Sequence, residues 1–307
     1  MQTASSYSNN SAEQSIKQSI EPVLTLHNQL GEGPIWHPSE QQLYWVDILA
    51  KQVHCFNPET GSDRVWQLDD LCSFVIPGVD QSMYVGHPQG IFKYDTEFKT
   101  RLFIADPEPH LPQNRLNDAQ VASNGLLYFG TMDLWESNQS GSFWGLFPSG
   151  EMIRLTSGIT ITNGPAQNAE GTVLYLTDTV ARTIYRAPIK TSGRLGEPQV
   201  FRTFSLNEGY PDGMAVDSLG RLWCCHWGAG QISCSDANGY VVQRISLPVT
   251  NPTKLAFGGD DLSTLYITSA RKGLSEEHLS AHPMEGSLLK IEVDIPGLAS
   301  TLFDYRG

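Results

Sequence analysis

Six positions in this 307-residue chain stand at a nearly fixed distance before an aromatic residue. Glu32, Cys72, Asn117, Asn163, Asp212 and Thr253 precede Tyr44, Tyr84, Tyr128, Tyr175, Trp223 and Tyr266 by 12, 12, 11, 12, 11 and 13 residues. Four of the six carry a carboxylate or an amide, each beside a glycine, a proline or another carboxylate. Asn and Asp beside Gly are ordinary turn formers one at a time. Brought together, oxygens of this kind suit a hard divalent cation such as Ca²⁺, Mg²⁺ or Mn²⁺, whereas zinc favours nitrogen and sulfur donors and no His falls in the set. Glu32, Asn163 and Asp212 are the sharpest trio. Two carboxylates neutralise a dication, an amide oxygen adds a third donor, and coordination positions remain for water and a carbonyl oxygen.

Glu32 and Asn163 are 131 residues apart, and Asn163 and Asp212 are 49 apart, so only a closed architecture brings them together. The surrounding sequence supplies one. Each aromatic sits in the second half of an apolar–turn–aromatic unit, seen most plainly in YPDGMAVDSLGRLW (210–223). There a Pro- and Gly-flanked carboxylate, expected to be held stiffly by its neighbours, precedes a strand at 214–216, a turn at 217–220 and a strand at 222–225. The aromatics recur at spacings of 40, 44, 47, 48 and 43. Six copies at this period mark a blade-type repeat, in which units too small to bury their own faces pack on one another and close into a ring. Equivalent positions in such a ring converge at one mouth of the central channel. An alternating segment at 23–27, before the first unit, is expected to pair with the blade of Tyr266 and close the circle.

The remaining sequence is consistent with one β-rich domain over 21–307, preceded by a Ser/Gln/Asn-rich tail at 1–20 expected to be disordered and to lack the apolar core of a secretory signal. The one helical candidate after the tail is 274–281, with Ser275 as N-cap and Glu276 and Glu277 in its first turn. A net charge of −13, from 33 acids against 20 bases with no basic cluster, argues against nucleic acid and anionic membranes as partners, and no apolar run is long enough for a membrane helix. Five cysteines without metal-ligand spacing, two of them adjacent (Cys224 and Cys225), argue against a disulfide framework and for a reducing cytoplasm. Nucleophile-elbow, zinc-protease, phosphate-loop and dinucleotide motifs are missing from the sequence. His226 reads as a structural histidine at a strand end.

These motifs, taken jointly, resemble the gluconolactonase/regucalcin (SMP-30-like) family. They are LGEGPIW (30–36), NRLND (114–118), FGTMD (129–133), TNGP (162–165), YPDGM (210–214) and LAFGG (255–259). The likeness runs from about residue 28 to the C-terminus and is nearest to the bacterial aldonolactonase branch. It implies an all-β, six-bladed β-propeller with a central metal site that hydrolyses a sugar lactone of the gluconolactone, arabinonolactone or xylonolactone type. By the same resemblance Glu32, Asn163 and Asp212 hold one divalent ion, calcium first with Mg²⁺, Mn²⁺ or Zn²⁺ as alternatives. The resemblance also implies that Arg115 and Asn117 contact the sugar; Asp212 can then be both ligand and general base, or the ion can carry the attacking water and lower its pKa. Asp118 falls behind them, orienting its neighbours. The family's sugar-contacting Glu has no exact counterpart, because Trp135 holds that position. Asp133, the substrate-binding candidate, Glu136, or neither of them takes its place. A monomer or small homo-oligomer is expected. Two other functions use the same residues: a non-catalytic calcium-binding regulatory propeller, and a propeller hydrolase for organophosphates or other esters.

Overall fold

The innermost strand of each blade is buried on both faces, and the outermost strand is buried on one. Pro252–Gly258 is buried throughout, and Gly31–His37 nearly so. At the periphery, Val241–Ser246 alternates between half-buried and exposed, and Ser62–Gln67 is mostly exposed. This gradient from axis to rim is what a ring of radially packed sheets imposes, since only the outer strands have a face turned to water. The structure is a computed structural model, which describes residues 20–307. The tail expected at 1–20 therefore lies outside the described residues, Ile20 excepted.

Among the described residues, twenty-four strands form six four-stranded antiparallel sheets. The innermost strands are, in blade order, Gly31–His37, Val75–Pro77, Asn114–Val121, Thr162–Gln167, Tyr210–Val216 and Pro252–Gly258. The six anchoring aromatics all lie in the strand next to these. They are buried at blade-to-blade contacts. Tyr266 of the sixth blade stacks on Trp36 of the first at 5.9 Å between centroids, and Trp223 of the fifth meets Phe257 of the sixth edge-on at 6.4 Å. Large aromatic areas at these seams hold the ring together.

The ring closes on a strand from the chain's beginning. Glu21–Leu24 pairs antiparallel with Leu288–Glu292, so the sixth sheet takes one strand from the start of the fold and three from its end. This strand begins and ends earlier than the sequence expectation of 23–27. The backbone of Asn28 is engaged elsewhere, its N–H with Gly286 and its carbonyl with Arg271, so the chain leaves the ladder after Leu24. Leu26 still packs on the seam, which is why the alternation reads as a longer strand. The helix Glu276–Ala281 forms where expected, with the Ser275 hydroxyl accepting from the His278 N–H. All five cysteines are free and buried.

One local device recurs in the innermost strands. Register breaks separate Glu32 from Ile35, Leu116 from Ala119, Asn163 from Ala166, Pro211 from Met214 and Pro252 from Leu255. Five of six blades therefore carry a bulge within the stretch where the sequence placed its candidate residues. A bulge inserts an extra residue and turns its side chains out of the regular alternation. Gly33 and Gly164 adopt left-handed dihedrals there, at φ +59° and +68°. Gly213 serves a different end from the unusual dihedral its type suggests. Its φ is ordinary, but a Cβ would collide with the Lys254 side chain, so glycine allows blades five and six to approach beside Asp212.

Candidate functional site

The bulged segments open onto a cavity of about 580 Å³ at one end of the channel. Glu32, Arg115, Asn117, Asn163 and Asp212 all line it, from blades one, three, four and five. Each of these side chains is buried. Asp118 and Lys254 form an ion pair further along the axis, and Lys254 faces a second cavity of about 310 Å³ at the other end of the inner strands. The pair thus lies between the two spaces.

A belt of hydrogen bonds fixes the polar side chains around the axis. Arg115 donates through Nη1 to Asn117 Oδ1 (2.7 Å) and to the Leu116 carbonyl (2.9 Å). Asn117 donates through Nδ2 to Asn163 Oδ1 (2.8 Å) and to the Thr162 carbonyl (2.7 Å). Asn163 Nδ2 in turn donates to the Thr179 hydroxyl (3.0 Å), which donates to the Pro211 carbonyl (2.9 Å) beside Asp212. Three consecutive blades are tied in this way, and Thr253 ties the sixth to the first by donating to the Gly31 carbonyl (2.6 Å). Side chains held at both ends lose little further freedom when they engage a ligand.

The carboxylates are less well served. Glu32 Oε2 accepts from the Gly33 N–H (2.9 Å), while Asp212 Oδ1 and Asp118 Oδ2 are buried without a partner among the described residues. Burial, reinforced by the neighbouring Asp118 carboxylate, pushes Glu32 up to about 8. Burial and the charges of Glu32 and Asp118 push Asp212 well above the usual carboxylate range. Two buried carboxylates lining one cavity, with Asp118 and its Lys254 partner close by, form an arrangement that favours a cation. The donor set fits one. Glu32, Asp212 and Asn163 line one space, and among the described residues Asp212 Oδ1 has no hydrogen-bond partner. Among the described residues no three His, Cys, Asp or Glu side chains form such a group, so the set depends on the asparagine. An all-oxygen set points to a hard ion rather than zinc.

Arg115 is a buried guanidinium, and among the described residues no carboxylate forms an ion pair with it. Burial lowers its pKa from the ordinary value, with Glu136 and Glu32 opposing that shift. A fixed cation in a cavity with neutral partners is placed to serve ligand oxygens.

Comparison with known proteins identifies the family to which this fold belongs. The family described as the SMP-30/Gluconolactonase/LRE-like region matches residues 30–271. The chain belongs to this family. Its curated SMP-30/gluconolactonase relatives include 6-deoxy-6-sulfogluconolactonase of Pseudomonas putida, 31% identical over 94% of this chain and 99% of the relative. Pentonolactonase XacC of Haloferax volcanii is 31% identical over 91% of this chain and 96% of its own length. Among solved structures, regucalcin from Agrobacterium tumefaciens, described as a calcium-binding protein, superposes with a TM-score of 0.89 at 28% identity, covering 94% of this chain and 98% of that one.

Not every position marked in this family member's sequence reaches the cavity. Cys72 turns into the packing between blades, with its thiol toward the Gln52 carbonyl (3.3 Å), and the Thr253 hydroxyl is engaged with Gly31 and Thr268. His226 is buried with both ring nitrogens engaged, by the Glu208 carbonyl and the Ser233 hydroxyl, each at 2.7 Å. Asp133, a substrate-binding candidate, does not line the cavity. Its Oδ2 instead accepts from the backbone N–H groups of Ser137 (3.0 Å) and Asn138 (2.9 Å) and from both side chains. It braces the loop on which Glu136 stands, and Glu136 does line the cavity. Lys272, Tyr210, Thr179 and Trp227 also line it, and the repeat did not mark them because they stand in loops or at strand ends outside the shared offset.

Proposed function

We propose that this protein hydrolyses a sugar aldonolactone to the aldonic acid with the help of one divalent cation, calcium first among the candidates, held by Glu32, Asn163 and Asp212. The observation that carries the reading is the convergence of these three oxygen donors, with the Asp212 Oδ1 unpartnered, in the cavity that also receives Arg115 and Asn117. Its relatives in the family bear sugar-lactonase names, which supports the same substrate class.

When bound, the cation supplies Lewis-acid polarisation of the lactone carbonyl. The chain's own groups do the rest. Asp212 takes the proton of a water molecule as its oxygen attacks the carbonyl carbon. The ring C–O bond then breaks, and that proton passes from Asp212 to the departing ring oxygen, giving a hydroxyl and a carboxylic acid, which releases its own proton to solvent as the carboxylate forms. Arg115 holds sugar hydroxyls through the guanidinium donors that the belt does not use. Asn117, whose two amide N–H donors are both spent in the belt, accepts from a hydroxyl through the remaining lone pair of Oδ1, so the carbonyl is presented at a fixed place. The Asp118–Lys254 pair fixes the channel floor behind the reacting atoms.

Chelator-stripped protein assayed against a panel of aldonolactones, with Ca²⁺, Mg²⁺, Mn²⁺ and Zn²⁺ restored one at a time, tests the reading. Turnover that disappears with the chelator and returns with one ion supports it. Metal binding without turnover of any lactone favours a calcium-binding regulatory role instead, in keeping with the regucalcin likeness. Activity that survives chelation removes the metal from the mechanism.

A further inference from the structure

Resting on the lactonase reading, we propose that Lys272 is a specificity-determining residue that receives an anionic group, a phosphate or a sulfonate, on the part of the sugar remote from the lactone carbonyl. Lys272 lines the same cavity as Arg115 and the oxygen-donor trio, yet comes from a loop of the sixth blade outside the belt. Its backbone is fixed at both groups: the N–H donates to the Gln29 carbonyl (3.0 Å), and the carbonyl accepts from Asn251 Nδ2 (3.1 Å). Only the side chain is free to re-aim. Its ammonium pairs with Glu136 of the third blade, 136 residues away, so the bridge spans the cavity mouth.

That pair is exchangeable where the others near the axis are not. Both side chains are 35% exposed, against 8% and 2% for Lys254 and Asp118. An ion pair in contact with water contributes little and is readily traded for a better partner. Glu136 is likewise held by its backbone, with φ +57° and its N–H on the Asp133 carbonyl (3.1 Å), and the longer lysine side chain has the greater reach to turn toward a ligand. A neutral sugar gives Lys272 nothing to exchange Glu136 for. A phosphate or sulfonate offers several charged acceptors to its three donors. The charge balance agrees. With Glu32 and Asp212 committed to a dication, the cavity keeps two cations, Arg115 and Lys272, against Glu136 alone. This leaves a positive mouth on a chain whose net charge is −13, a setting that draws an anionic substrate in.

The test uses the full chain at fixed free calcium, with binding of gluconate, 6-phosphogluconate and the 6-sulfonate analogue measured by calorimetry. Expected is at least tenfold tighter binding of an anionic acid than of gluconate by the wild type. That preference should fall below about threefold in Lys272→Gln and widen in Glu136→Gln, which frees the lysine. Tighter binding of the 6-phosphate assigns a phosphoryl group, and tighter binding of the 6-sulfonate assigns a sulfonate. Equal binding of all three acids overturns the proposal, as does a preference that survives Lys272→Gln. Parallel kcat/KM values for the neutral and 6-anionic lactones separate this from the reading beneath it. An anion preference that depends on Lys272 with no lactone hydrolysed leaves Lys272 in its role and removes the lactonase. Hydrolysis without an anion preference does the reverse.

Discussion

Asp212 is a buried carboxylate opposed by the charges of Glu32 and Asp118, and among the described residues one of its oxygens has no hydrogen-bond partner. Asp212→Asn keeps the shape and removes both charge and basicity. Turnover is expected to fall by at least 100-fold, about 2.7 kcal/mol of barrier, even at saturating metal. Without metal, the same variant is expected to unfold at a higher temperature than the wild type, because a repelled and desolvated charge has been removed. Activity assays across a calcium titration, alongside thermal melts in chelator, check both halves. Full recovery of activity at high metal makes Asp212 a ligand only and puts the base elsewhere. Arg115 separates sugar binding from metal binding. Arg115→Ala is expected to lose one or more tenfold steps in kcat/KM, about 1.4 kcal/mol each, with calcium affinity by calorimetry within a few-fold of wild type. A matching loss of calcium affinity would show instead that the arginine braces Asn117 and, through it, Asn163.

At the scale of the strand, the repeat made the inner positions legible, and the bulge explains both its success and its misses. The offset from the aromatic locates the bulge, and in blades one, three, four and five the bulge aims Glu32, Asn117, Asn163 and Asp212 inward. Blade two shows no such break: its ladder runs unbroken from Val75 to Pro77, and Cys72 goes to the packing instead. Blade six has the bulge but spends its threonine on a seam. Glu136 and Lys272 stand on loops that differ from blade to blade, so no period could mark them, and Asp133 was drawn in by its motif although its carboxylate belongs to the loop. Strand ends also carry titrating groups with a structural task. Burial lowers His226 from an ordinary 6.5 to about 4, and burial lowers His87 as well. The unfolded chain takes up the His226 proton near pH 6.5, and the folded chain resists until about 4. Stability from this residue is thus complete above pH 6.5 and is lost as pH falls through that window, by up to about 3 kcal/mol at roughly 1.4 kcal/mol per unit. His226→Gln is expected to flatten that part of the profile. The check is the wild-type minus variant difference in unfolding free energy at pH 7 and pH 4.5, at one metal concentration, and a difference independent of pH would refute it.

At the scale of the whole molecule, the site exists only because the ring is closed. Glu32 comes from the first blade and Asp212 from the fifth, and the blade between them around the circle is the sixth, whose outer strand is Glu21–Leu24. That strand is short and partly exposed, with three registered pairs to Leu288–Glu292. Its side chains nevertheless pack on the seam where Trp36 stacks on Tyr266, with Val23, Leu24 and Leu26 covering the cluster. A form beginning at residue 27 uncovers this seam and leaves Leu288–Glu292 as a bare edge, a template for pairing with other chains. Three half-buried aliphatic side chains at about 1 kcal/mol each give a loss on the order of 3 kcal/mol. A form beginning at residue 20 retains the strand and is the control. Expected are a lower melting temperature and concentration-dependent association for the shorter form, and wild-type behaviour for the longer one, read by thermal melts and size-exclusion chromatography. The coupling to function is the sharper part. If closure positions the trio, calcium affinity in the shorter form falls together with stability, and a calcium titration recovers some of the lost melting temperature because the ion binds only the closed ring. A shorter form that melts early but binds calcium as the wild type does would show that blades one, four and five hold the trio without the closing strand.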